Sequence, residues 1–384
     1  MNIVLFDNKQ RKKLFPFTET RAVAEIRTGI FTNKERWEYI SGTEISILTE
    51  DYLQPLYNDY ATGDILLIDA SVIFNEEQAK KILQIPQGYY VAYSKGFIAG
   101  RFNTKDKFDF EALNNLSFDK MINWKEEVVR LDHPWQIFQL NESIIQQDFA
   151  MITEGRQSAK IDASNTVVNA KNIFVEDGAN ISCSILNATT GSIYIGKNAT
   201  IQEGCLIRGA FVLGENSLLK MGTKIYGATT IGNNCVGGGE IKNSVIFGNS
   251  NKAHDGYLGD SVIGEWCNLG AATSNSNLKN TAGTVHIWNE ETKAQIAVAQ
   301  KCGVLMGDYT RTAINSTINT GSVFGVCCNI FGQGLLPKYL PNFSWGTSDG
   351  YNIDKAIDDI NNWKKMKGQN VSEVEENVLK CLGK

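Results

Sequence analysis

The sequence predicts an N-terminal α/β unit, then an all-β left-handed parallel β-helix, and finally a helical tail. Three observations lead to this fold class. Short apolar segments alternate with helical patterns near the N-terminus, aliphatic residues recur every six residues in the middle, and helical spacing returns near the C-terminus. The predicted boundaries are 1–105 for the α/β unit, 106–154 for a helical connector, 155–335 for the β-helix and 336–384 for the tail.

In the first 105 residues, short apolar segments predict buried strands and two longer segments predict helices. The predicted strands are Ile3–Phe6, Glu44–Leu48 and Asp64–Asp69, and the predicted helices are Phe31–Ile40 and Glu76–Leu83. Residues 106–154 are richer in charge, which indicates a connector. A helix is expected there from Asn141, because asparagine caps helices well.

The β-helix is predicted from a run of branched aliphatic residues at every sixth position. The seven positions are Ile195, Ile201, Ile207, Leu213, Leu219, Ile225 and Ile231. A period of six matches neither an α-helix nor a flat strand. It is typical of a solenoid with triangular coils, in which each side contributes one inward side chain. The pattern Ile/Leu-Gly-x-Asn returns every 18 residues, so each coil contains three hexapeptides.

The repeat is interrupted twice, and it ends before the C-terminus. Its register slips at Gly237–Gly239, and the polar stretch Thr273–Asn289 predicts an extended loop. Helical spacing over Ile353–Lys384 predicts a helical end to the coil stack. Because insertions in solenoids often build the binding face, the residues beside the interruptions are the first functional candidates.

Composition excludes several classes of function. The net charge of −5, without a clustered basic excess, argues against a nucleic-acid partner. We find no apolar stretch of about 18 residues and no signal-peptide layout, so we expect neither a membrane span nor export. The eight cysteines lack the spacing of a zinc site. They predict reduced, buried thiols in a cytoplasmic protein.

The candidate chemistry centres on His254, which follows the first interruption. Glu240 and Lys242 precede it, and Tyr257 follows it. Coils rise by about 4.8 Å, so residues one coil apart lie side by side. A neutral imidazole can take a proton from an amine that attacks a thioester, and a nearby cation can hold a phosphate. The alternative is that His254 is a hydrogen-bonded surface residue. We interpret His133 and His286 as structural residues, with His133 before Pro134 in a connector turn.

The segment from Glu240 to Asn277 resembles the acetyltransferase half of the bifunctional UDP-N-acetylglucosamine pyrophosphorylase / glucosamine-1-phosphate N-acetyltransferases (GlmU). That family's motif reads E-x-K, then a histidine twelve residues after the lysine, then x-x-Y-L-G-D, N-x-G-A and a further asparagine. This chain matches it without a gap at Glu240–Lys242, His254, Tyr257–Asp260, Asn268–Ala271 and Asn277.

The resemblance implies a role for each of these residues. His254 is the expected general base, with Glu240 beside it in the catalytic set, and acetyl-CoA is the expected co-substrate. Lys242 and Tyr257 are expected to contact a sugar phosphate. Asn268 and Asn277 are expected to contact substrate or the acetyl group, and Ala271 is expected to lie near coenzyme A.

Three positions depart from the family pattern. A phosphate-binding arginine of the family is Lys224 here, which keeps the charge but loses the bidentate geometry. The loop that begins at Asn277 differs in sequence from the family's, and Lys252-Ala253-His254 is one residue shorter than the family's K-x-G-H. The acceptor sugar can differ accordingly.

A second resemblance lies in the N-terminal unit. The segment Lys13–Arg21 is similar to the R-L-x-P-L-T-x-T-R segment of sugar-1-phosphate nucleotidyltransferases, and the whole chain resembles the Bacteroidetes-type variant of the bifunctional enzyme. It implies that Lys13 and Arg21 bind a nucleotide and that Asp69 binds Mg²⁺. The preceding turn, Asp7–Lys12, contains no glycine, although backbone donors approach phosphates closely only where residues are small. The unit is also about half the usual length.

Three hypotheses follow. The first is an acetyl-CoA-dependent N-acetyltransferase acting on an amino-sugar 1-phosphate such as glucosamine 1-phosphate. The second is a Mg²⁺-dependent sugar-1-phosphate nucleotidyltransferase using UTP or dTTP, in which the β-helix serves as an oligomerisation scaffold. The third is a non-catalytic scaffold that binds a sugar nucleotide. For each we expect a homotrimer, because pockets in this class of solenoid usually form between subunits.

Overall fold

A six-stranded mixed sheet with the strand order β4-β1-β5-β8-β7-β9 forms the centre of the N-terminal unit. The computed structural model describes residues 1–58, 62–94, 96–106, 110, 113 and 116–383. The strands of this unit are β1 (Asn2–Phe6), β2 (Arg27–Thr28), β3 (Phe31–Thr32), β4 (Ser46–Leu48), β5 (Gly63–Asp69), β6 (Val72–Ile73), β7 (Tyr89–Tyr93), β8 (Gly96–Thr104), β9 (Lys120–Asn123) and β10 (Val129–Arg130). Its helices are α1 (Asn33–Ser41), α2 (Glu76–Leu83), α3 (Gln136–Gln139) and α4 (Asn141–Thr153).

The predicted N-terminal strands and helices are confirmed, with small shifts at their ends. The first helix begins at Asn33 rather than Phe31, because Thr32 and Glu35 form a capping box. The connector was predicted to be helical, but only part of it is. Residues 120–123 form β9, which pairs with β7, and residues 129–130 form β10, which pairs with β6.

The predicted left-handed parallel β-helix is confirmed and has three faces. The first face contains β11 (Thr166–Val168), β14 (Ile185–Asn187), β17 (Leu206–Arg208), β20 (Lys224–Tyr226), β23 (Glu240–Lys242) and β26 (Tyr257–Gly259). The pair β29 (Ser274–Asn275) and β34 (Thr317–Ile318) follows β26 along the stack.

The second and third faces run further along the stack. The second contains β12 (Ile173–Val175), β15 (Ile193–Ile195), β18 (Phe211–Leu213), β21 (Thr229–Ile231), β24 (Val245–Ile246), β27 (Val262–Ile263), β32 (Leu305–Met306), β35 (Val323–Phe324) and β37 (Tyr339–Leu340). The third contains β13 (Asn180–Ile181), β16 (Thr200–Ile201), β19 (Leu218–Leu219), β22 (Val236–Gly237), β25 (Asn251–Lys252), β28 (Asn268–Leu269), β33 (Arg311–Thr312), β36 (Asn329–Ile330), β38 (Ser344–Trp345) and β39 (Ser348–Asp349).

The seven aliphatic residues at period six all point into the β-helix. Each is at most 2% exposed, and successive ones fall on the three faces in turn. Leu213 pairs with Ile231, 18 residues later, as the repeat predicts. After the glycine slip the coil is shorter, and Ile231 pairs with Ile246, only 15 residues later.

The second interruption is an insertion between β27 and β32. It was predicted as an extended loop, but its later part forms an antiparallel hairpin of β30 (His286–Asn289) and β31 (Ala294–Ala297). Val285 and Ile287 are buried in the same hydrophobic core as the N-terminal unit. Burial of these apolar residues explains why this part of the insertion is ordered.

The predicted helical tail is confirmed as α5 (Ile353–Lys365) and α6 (Glu373–Leu382). These helices pack along one corner of the β-helix, on the side chains Trp266, Tyr309, Cys327 and Phe343. No helix in the described parts of the chain is both long and apolar enough to cross a membrane. Six of the eight cysteines are buried as predicted, whereas Cys183 and Cys381 are exposed.

Candidate functional site

The candidate residues surround the corner at which the third face leads into the first. We call this the site corner; it consists of Gly237–Gly239, His254, Ala271 and Ile314 on successive coils. Backbone hydrogen bonds join the coils here, since the Ala272 amide donates to the Asp255 carbonyl and the Asn315 amide to the Ala271 carbonyl. Residues before and after this corner can therefore contribute to one site.

Glycine is required at the slip because the next coil lies very close to it. A Cβ atom on Gly238 would lie 2.5 Å from the Ala253 carbonyl oxygen. A Cβ atom on Gly239 would lie 2.7 Å from the His254 carbonyl oxygen, and the φ of this residue is +72°. The glycines thus allow the turn that carries His254 to sit directly on the preceding coil.

Lys252 holds this turn from inside the β-helix. It is paired with Gly237 in the inward position that an aliphatic residue fills in most other coils, and it is 2% exposed. Its Nζ donates to the carbonyl oxygens of Gly238, at 3.0 Å, and of His254, at 2.5 Å. Burial lowers the pKa of the amine to about 8. The lysine therefore connects the slip to the backbone of His254.

The His254 side chain is exposed and makes no hydrogen bond or ion pair with any described residue. Its position, but not its imidazole, is therefore fixed by the rest of the chain. The imidazole is free to accept a proton from a ligand at the corner.

A hydrogen-bonded network lies beside His254 on the first face. Lys242 forms an ion pair with Asp260 at 3.2 Å, and the Asn277 amide donates to the same carboxylate. The Asn277 amide also donates to the Tyr257 hydroxyl at 3.0 Å. Burial, together with the negative charges of Asp260 and Glu240, raises the pKa of Tyr257 to about 12. Lys242 and Asn277 are thus joined through Asp260, and Tyr257 is joined to them through Asn277.

Asp260 is buried, at 4% exposed, and accepts a second amide bond from Asn243 at 2.7 Å. It belongs to the Tyr-Leu-Gly-Asp segment but was not among the predicted site residues. The sequence signal that could have found it is an acidic residue directly after a strand of the β-helix. Lys252 was missed too, although a lysine at an aliphatic position of the repeat is a visible irregularity.

Glu240 and Lys224 lie one and two coils below Tyr257 on the same face, because Lys224 pairs with Glu240 and Glu240 with Tyr257. The Glu240 carboxylate accepts a hydrogen bond from the Tyr226 hydroxyl at 2.5 Å. Lys224 is exposed and has no ion-pair partner among the described residues. Glu240 is thus engaged by a tyrosine, whereas Lys224 remains available to a ligand.

A cleft of about 670 Å³ extends from Glu240 over Lys224 toward the lower coils. Its lining includes Arg208, an exposed residue that the sequence analysis did not single out and that has no partner among the described residues. Glu142, at the start of α4, is the other acidic residue of the lining. Arg208 and Lys224 lie on the neighbouring strands β17 and β20, so this cleft holds two unpaired cations.

Asn268 and Ala271 approach the corner from the third face. Asn268 pairs in register with Asn251 on one side and with Arg311 on the other. Ala271 follows within the turn and is partly exposed. The fold thus places His254 and Ala271 in this corner on successive coils, with Asn268 directly before it and Tyr257 directly after it, whereas Asn277 lies at the far end of the first face beside Asp260.

The predicted nucleotide-binding residues of the N-terminal unit are placed differently. Arg21 is 7% exposed, and its guanidinium forms ion pairs with Asp308 and Glu265 of the β-helix. The Cζ atom of this guanidinium lies 5.2 Å from the centroid of the Phe247 ring. Arg21 therefore joins the two parts of the chain instead of facing a nucleotide. Lys13 is half-buried beside His133 and has no hydrogen bond among the described residues.

Asp69 was expected to bind Mg²⁺, but its surroundings do not fit a metal ligand. Both carboxylate oxygens accept from the Asn8 amide, at 2.9 and 2.8 Å, and the Ser71 amide and hydroxyl donate to Oδ1. Arg130 places a cation 3.4 Å from Oδ2. Among the described residues, no group of three His, Cys, Asp or Glu side chains is arranged to hold a metal ion.

Comparison with known proteins confirms the family resemblance. Residues 3–157 match the family model described as sugar nucleotidyl transferase. The bifunctional protein GlmU of Methanocaldococcus jannaschii is 35% identical over 99 residues, which are 26% of this chain and 24% of the relative. The bifunctional sugar-1-phosphate nucleotidylyltransferase/acetyltransferase of Sulfurisphaera tokodaii is 38% identical over 92 residues, which are 24% and 23% of the two chains. The chain spans about a quarter of the length of these relatives.

Two solved structures are also similar. The polySia-specific acetyltransferase NeuO shares 14% identity and a TM-score of 0.27, covering 54% of this chain and 98% of the other. The Arabidopsis UDP-N-acetylglucosamine acyltransferase shares 16% identity and a TM-score of 0.30, covering 58% and 89%. At these TM-scores the superpositions add nothing to the strand register described above.

Proposed function

We propose that this chain is an acetyl-CoA-dependent N-acetyltransferase that acts on an amino-sugar 1-phosphate, with His254 as the general base. The observation that carries the proposal is the site corner itself. His254, an exposed imidazole with no partner among the described residues, lies three residues before Tyr257, which belongs to the network with Lys242, Asp260 and Asn277. A cleft on the same face holds two cations that also lack a described partner. The relatives that combine nucleotidyl and acetyl transfer support this class of reaction.

The chemistry needs one proton acceptor at the corner. The amine of the acceptor sugar attacks the thioester carbonyl, so a C–N bond forms and the C–S bond breaks. His254 takes the proton that the amine loses and returns a proton to the departing thiolate of coenzyme A. Glu240 supports the site indirectly by holding the Tyr226 hydroxyl.

The acceptor phosphate belongs in the cleft of the first face. Lys242 is neutralised by Asp260, so the unpaired charges of Lys224 and Arg208 supply the attraction. Arg208 also offers the forked guanidinium that the lysine at position 224 lacks. The sugar then lies between the cleft and the corner, with its amine toward His254.

The acyl donor belongs along the corner beyond His254. Ala271 leaves room there, and the next coils carry exposed apolar side chains: Ile314 is 68% exposed and Phe331 41%. Such a strip suits the apolar part of the coenzyme A arm and a second subunit. We therefore include a homotrimer in the proposal, with a neighbouring copy covering the open side of the corner.

Release of free thiol from acetyl-CoA in the presence of glucosamine 1-phosphate tests the proposal. We expect His254→Ala to lower kcat by about 100-fold or more, in the range of general-base removal. His286→Ala is the matched control, because His286 is also exposed but lies in the hairpin. An unchanged rate in His254→Ala would refute the role of His254.

The phosphate site has its own test. We expect Arg208→Gln to raise KM for the sugar phosphate about tenfold and to leave kcat nearly unchanged, since it removes binding common to ground and transition states. Lys197→Gln removes the same charge from an exposed corner of an earlier coil and is expected to have no effect. Equal KM values for the two variants would remove Arg208 from the site.

Nucleotidyl transfer is the second candidate function. The match of residues 3–157 to sugar nucleotidyl transferases favours it. The burial of Arg21 against the β-helix and the saturated carboxylate of Asp69 oppose it. Pyrophosphate release from UTP and N-acetylglucosamine 1-phosphate measures this activity directly.

A further inference from the structure

Arg311, on β33 of the third face, is buried without a counter-ion. It is 7% exposed, and its side chain forms no hydrogen bond or ion pair with any described residue. Buried charges in proteins are normally paired, because an unpaired charge has lost its hydration without compensation. We propose that this guanidinium binds a free tetrahedral oxyanion of the phosphate or sulfate class, between the β-helix and α5. The inference does not depend on the proposed acetyl transfer, in which Arg311 has no role.

The strand register points Arg311 out of the β-helix and toward the tail. Leu269 belongs to the core of the coils and pairs with Thr312, so Arg311, one residue earlier, points to the opposite side of the sheet. There the half-buried Trp363 of α5 covers it, with the Cζ atom of the guanidinium 5.2 Å from the ring centroid. The ring stabilises the cation through one face but accepts none of its in-plane hydrogen bonds.

The unpartnered atoms of Arg311 lie on one edge of its guanidinium. Its Nε and Nη2 are both buried, and neither has a hydrogen-bond partner among the described residues. These two nitrogens form a fork that donates two parallel hydrogen bonds to two oxygens of a carboxylate or a phosphate. A complete bidentate donor is therefore available, and a tetrahedral oxyanion supplies both the acceptors and the negative charge.

The groups around Arg311 do not neutralise it. Asp359 of α5 is the acidic residue nearby, but it forms no ion pair with Arg311 and accepts a hydrogen bond from the Tyr351 hydroxyl. The other neighbours include the thiols of Cys267 and Cys327, and burial raises the pKa of both, so they are uncharged. Burial also lowers the pKa of Arg311 itself. A bound oxyanion would supply the charge that these side chains do not.

Asparagines flank Arg311 on the neighbouring coils. Asn268 and Asn329 pair with it in register, each about 4.8 Å away along the sheet, and both are half-buried. The Oδ1 of Asn268 accepts from the Asn251 amide at 3.5 Å, and its Nδ2 has no partner among the described residues. An oxyanion on Arg311 can therefore accept a further hydrogen bond from Asn268. Such an ion would join the third face to the helix that carries Trp363 and so fix the tail on the β-helix.

Equilibrium dialysis of the full-length protein against labelled inorganic phosphate, at constant ionic strength in chloride, tests the proposal. We expect Arg311→Gln to weaken binding of the ion about tenfold or more, because the charged fork is lost. Arg311→Lys keeps the charge without the fork and should give an intermediate Kd. Arg208→Gln is the matched control, because it removes a cation from the cleft of the first face and should keep this ion. The proposal fails if no phosphate binds, or if Arg311→Gln binds it like the wild type.

Thermal unfolding separates a bound ion from an internal counter-ion. Phosphate at about ten times its Kd should raise the Tm of the wild type by about 2 °C and leave that of Arg311→Gln unchanged. Asp359→Asn removes the nearby negative charge but keeps an acceptor for Tyr351, so we expect it to bind phosphate at least as tightly as the wild type. A large fall in the Tm of Asp359→Asn in chloride, together with no phosphate-induced rise in the wild type, would identify Asp359 as the counter-ion and overturn the proposal.

A phosphate monoester distinguishes a free ion from an esterified phosphate group. Because Trp363 covers the guanidinium, we expect glycerol 3-phosphate to bind at least about tenfold more weakly than inorganic phosphate. Trp363→Ala removes this cover and should bring the two Kd values closer together. Tighter binding of the monoester than of the free ion in the wild type would show that the occupant is a phosphate group of a larger ligand and would overturn the assignment to a free ion.

Discussion

Lys252 is the residue whose position is hardest to explain by stability alone. Among the described residues, Lys252 has two carbonyl acceptors and no carboxylate partner, although it occupies an inward position of the β-helix. Burying an ammonium group in this way opposes folding. Its hydrogen bond to the His254 carbonyl connects the lysine to the proposed general base. The unfavourable burial of the ammonium group thus occurs where it holds the turn that carries His254.

The pH dependence of stability provides a test. Burial lowers the pKa of Lys252 to about 8 in the folded chain, from its usual 10.5. Below pH 8 the lysine lowers the free energy of unfolding by roughly 3 kcal/mol. As the pH rises from 8 to 10.5, the folded chain holds fewer protons than the unfolded chain, so the wild type gains stability. We therefore expect the free energy of unfolding of Lys252→Met to fall progressively relative to that of the wild type as the pH rises across this range.

Urea unfolding at pH 7.5, 9 and 10.5 measures the difference in the free energy of unfolding between the two proteins. The contributions of the other titrating groups cancel in this difference. Lys197→Met, in an exposed corner, is the control and should show a constant difference. A constant difference for Lys252→Met as well would mean that burial does not lower the pKa of Lys252. Lower activity of this variant at every pH would support its role in holding the His254 turn.

At the site, sequence reasoning was most successful where neighbours are one coil apart. Lys242, Tyr257 and Asn277 were expected together because a solenoid converts a sequence spacing into contact; Lys242 and Asn277 share Asp260, and Asn277 also donates to Tyr257. Arg21 could not be placed in this way. Its partner Asp308 is 287 residues away, and nothing in the local pattern indicates that contact.

At the scale of the element, α4 joins the N-terminal unit to the β-helix. Its Asn141 was expected to cap the helix, but Leu140 occupies the cap position and Asn141 lies inside the first turn. The side chain is 0% exposed. It accepts from the Gly29 amide at 2.8 Å and from the Thr230 hydroxyl at 3.2 Å, and it donates to the Ala228 carbonyl at 3.0 Å.

We expect Asn141→Ala to lower the free energy of unfolding by about 2–4 kcal/mol, because it leaves buried donors and an acceptor without partners. Asn141→Asp keeps the acceptor for Gly29 but loses the donor to Ala228, and should also be destabilising. Chemical denaturation followed by circular dichroism measures both, with Ser143→Ala, an exposed position two residues along the helix, as the control. A loss below 1 kcal/mol for Asn141→Ala would contradict this account.

Other elements show what periodicity can and cannot predict. The strands of the β-helix follow directly from one inward aliphatic residue in every six, since that pattern fits only one coil geometry. The hairpin within the insertion was missed because the stretch that contains its first strand is mostly polar. Its order comes from Val285 and Ile287, which are buried in a core shared by the N-terminal unit and the β-helix.

For the molecule as a whole, the N-terminal unit is docked on the β-helix by a polar cluster around Asp308. This carboxylate accepts from Arg21 and from the Thr20 hydroxyl, and it also accepts from the Glu265 amide at 2.8 Å. Next to it, Phe17 and Phe247 pack with their ring centroids 5.5 Å apart. The segment that resembles a nucleotidyltransferase signature is therefore part of the contact between the two halves.

We expect Arg21→Met to destabilise the chain by about 3–5 kcal/mol, since it leaves Asp308 buried without its cation. The double variant Arg21→Met/Asp308→Asn should recover part of this loss, because the asparagine is uncharged and its oxygen still accepts from Thr20 and Glu265. Differential scanning calorimetry measures both and shows whether the halves unfold separately once the contact is weakened. If the double variant is no more stable than Arg21→Met, the buried charge is not the cause.

The sequence by itself determined the β-helix, the helical tail and the strands and helices at the N-terminus. Each of these depends on local spacing, which the coil or the helix repeats in space. Only the tertiary structure decided the fate of Arg21 and Asp69, the order of the hairpin and the inward position of Lys252 beside Gly237. These depend on contacts between distant segments, because the charge and burial of a side chain are set by its neighbours in space.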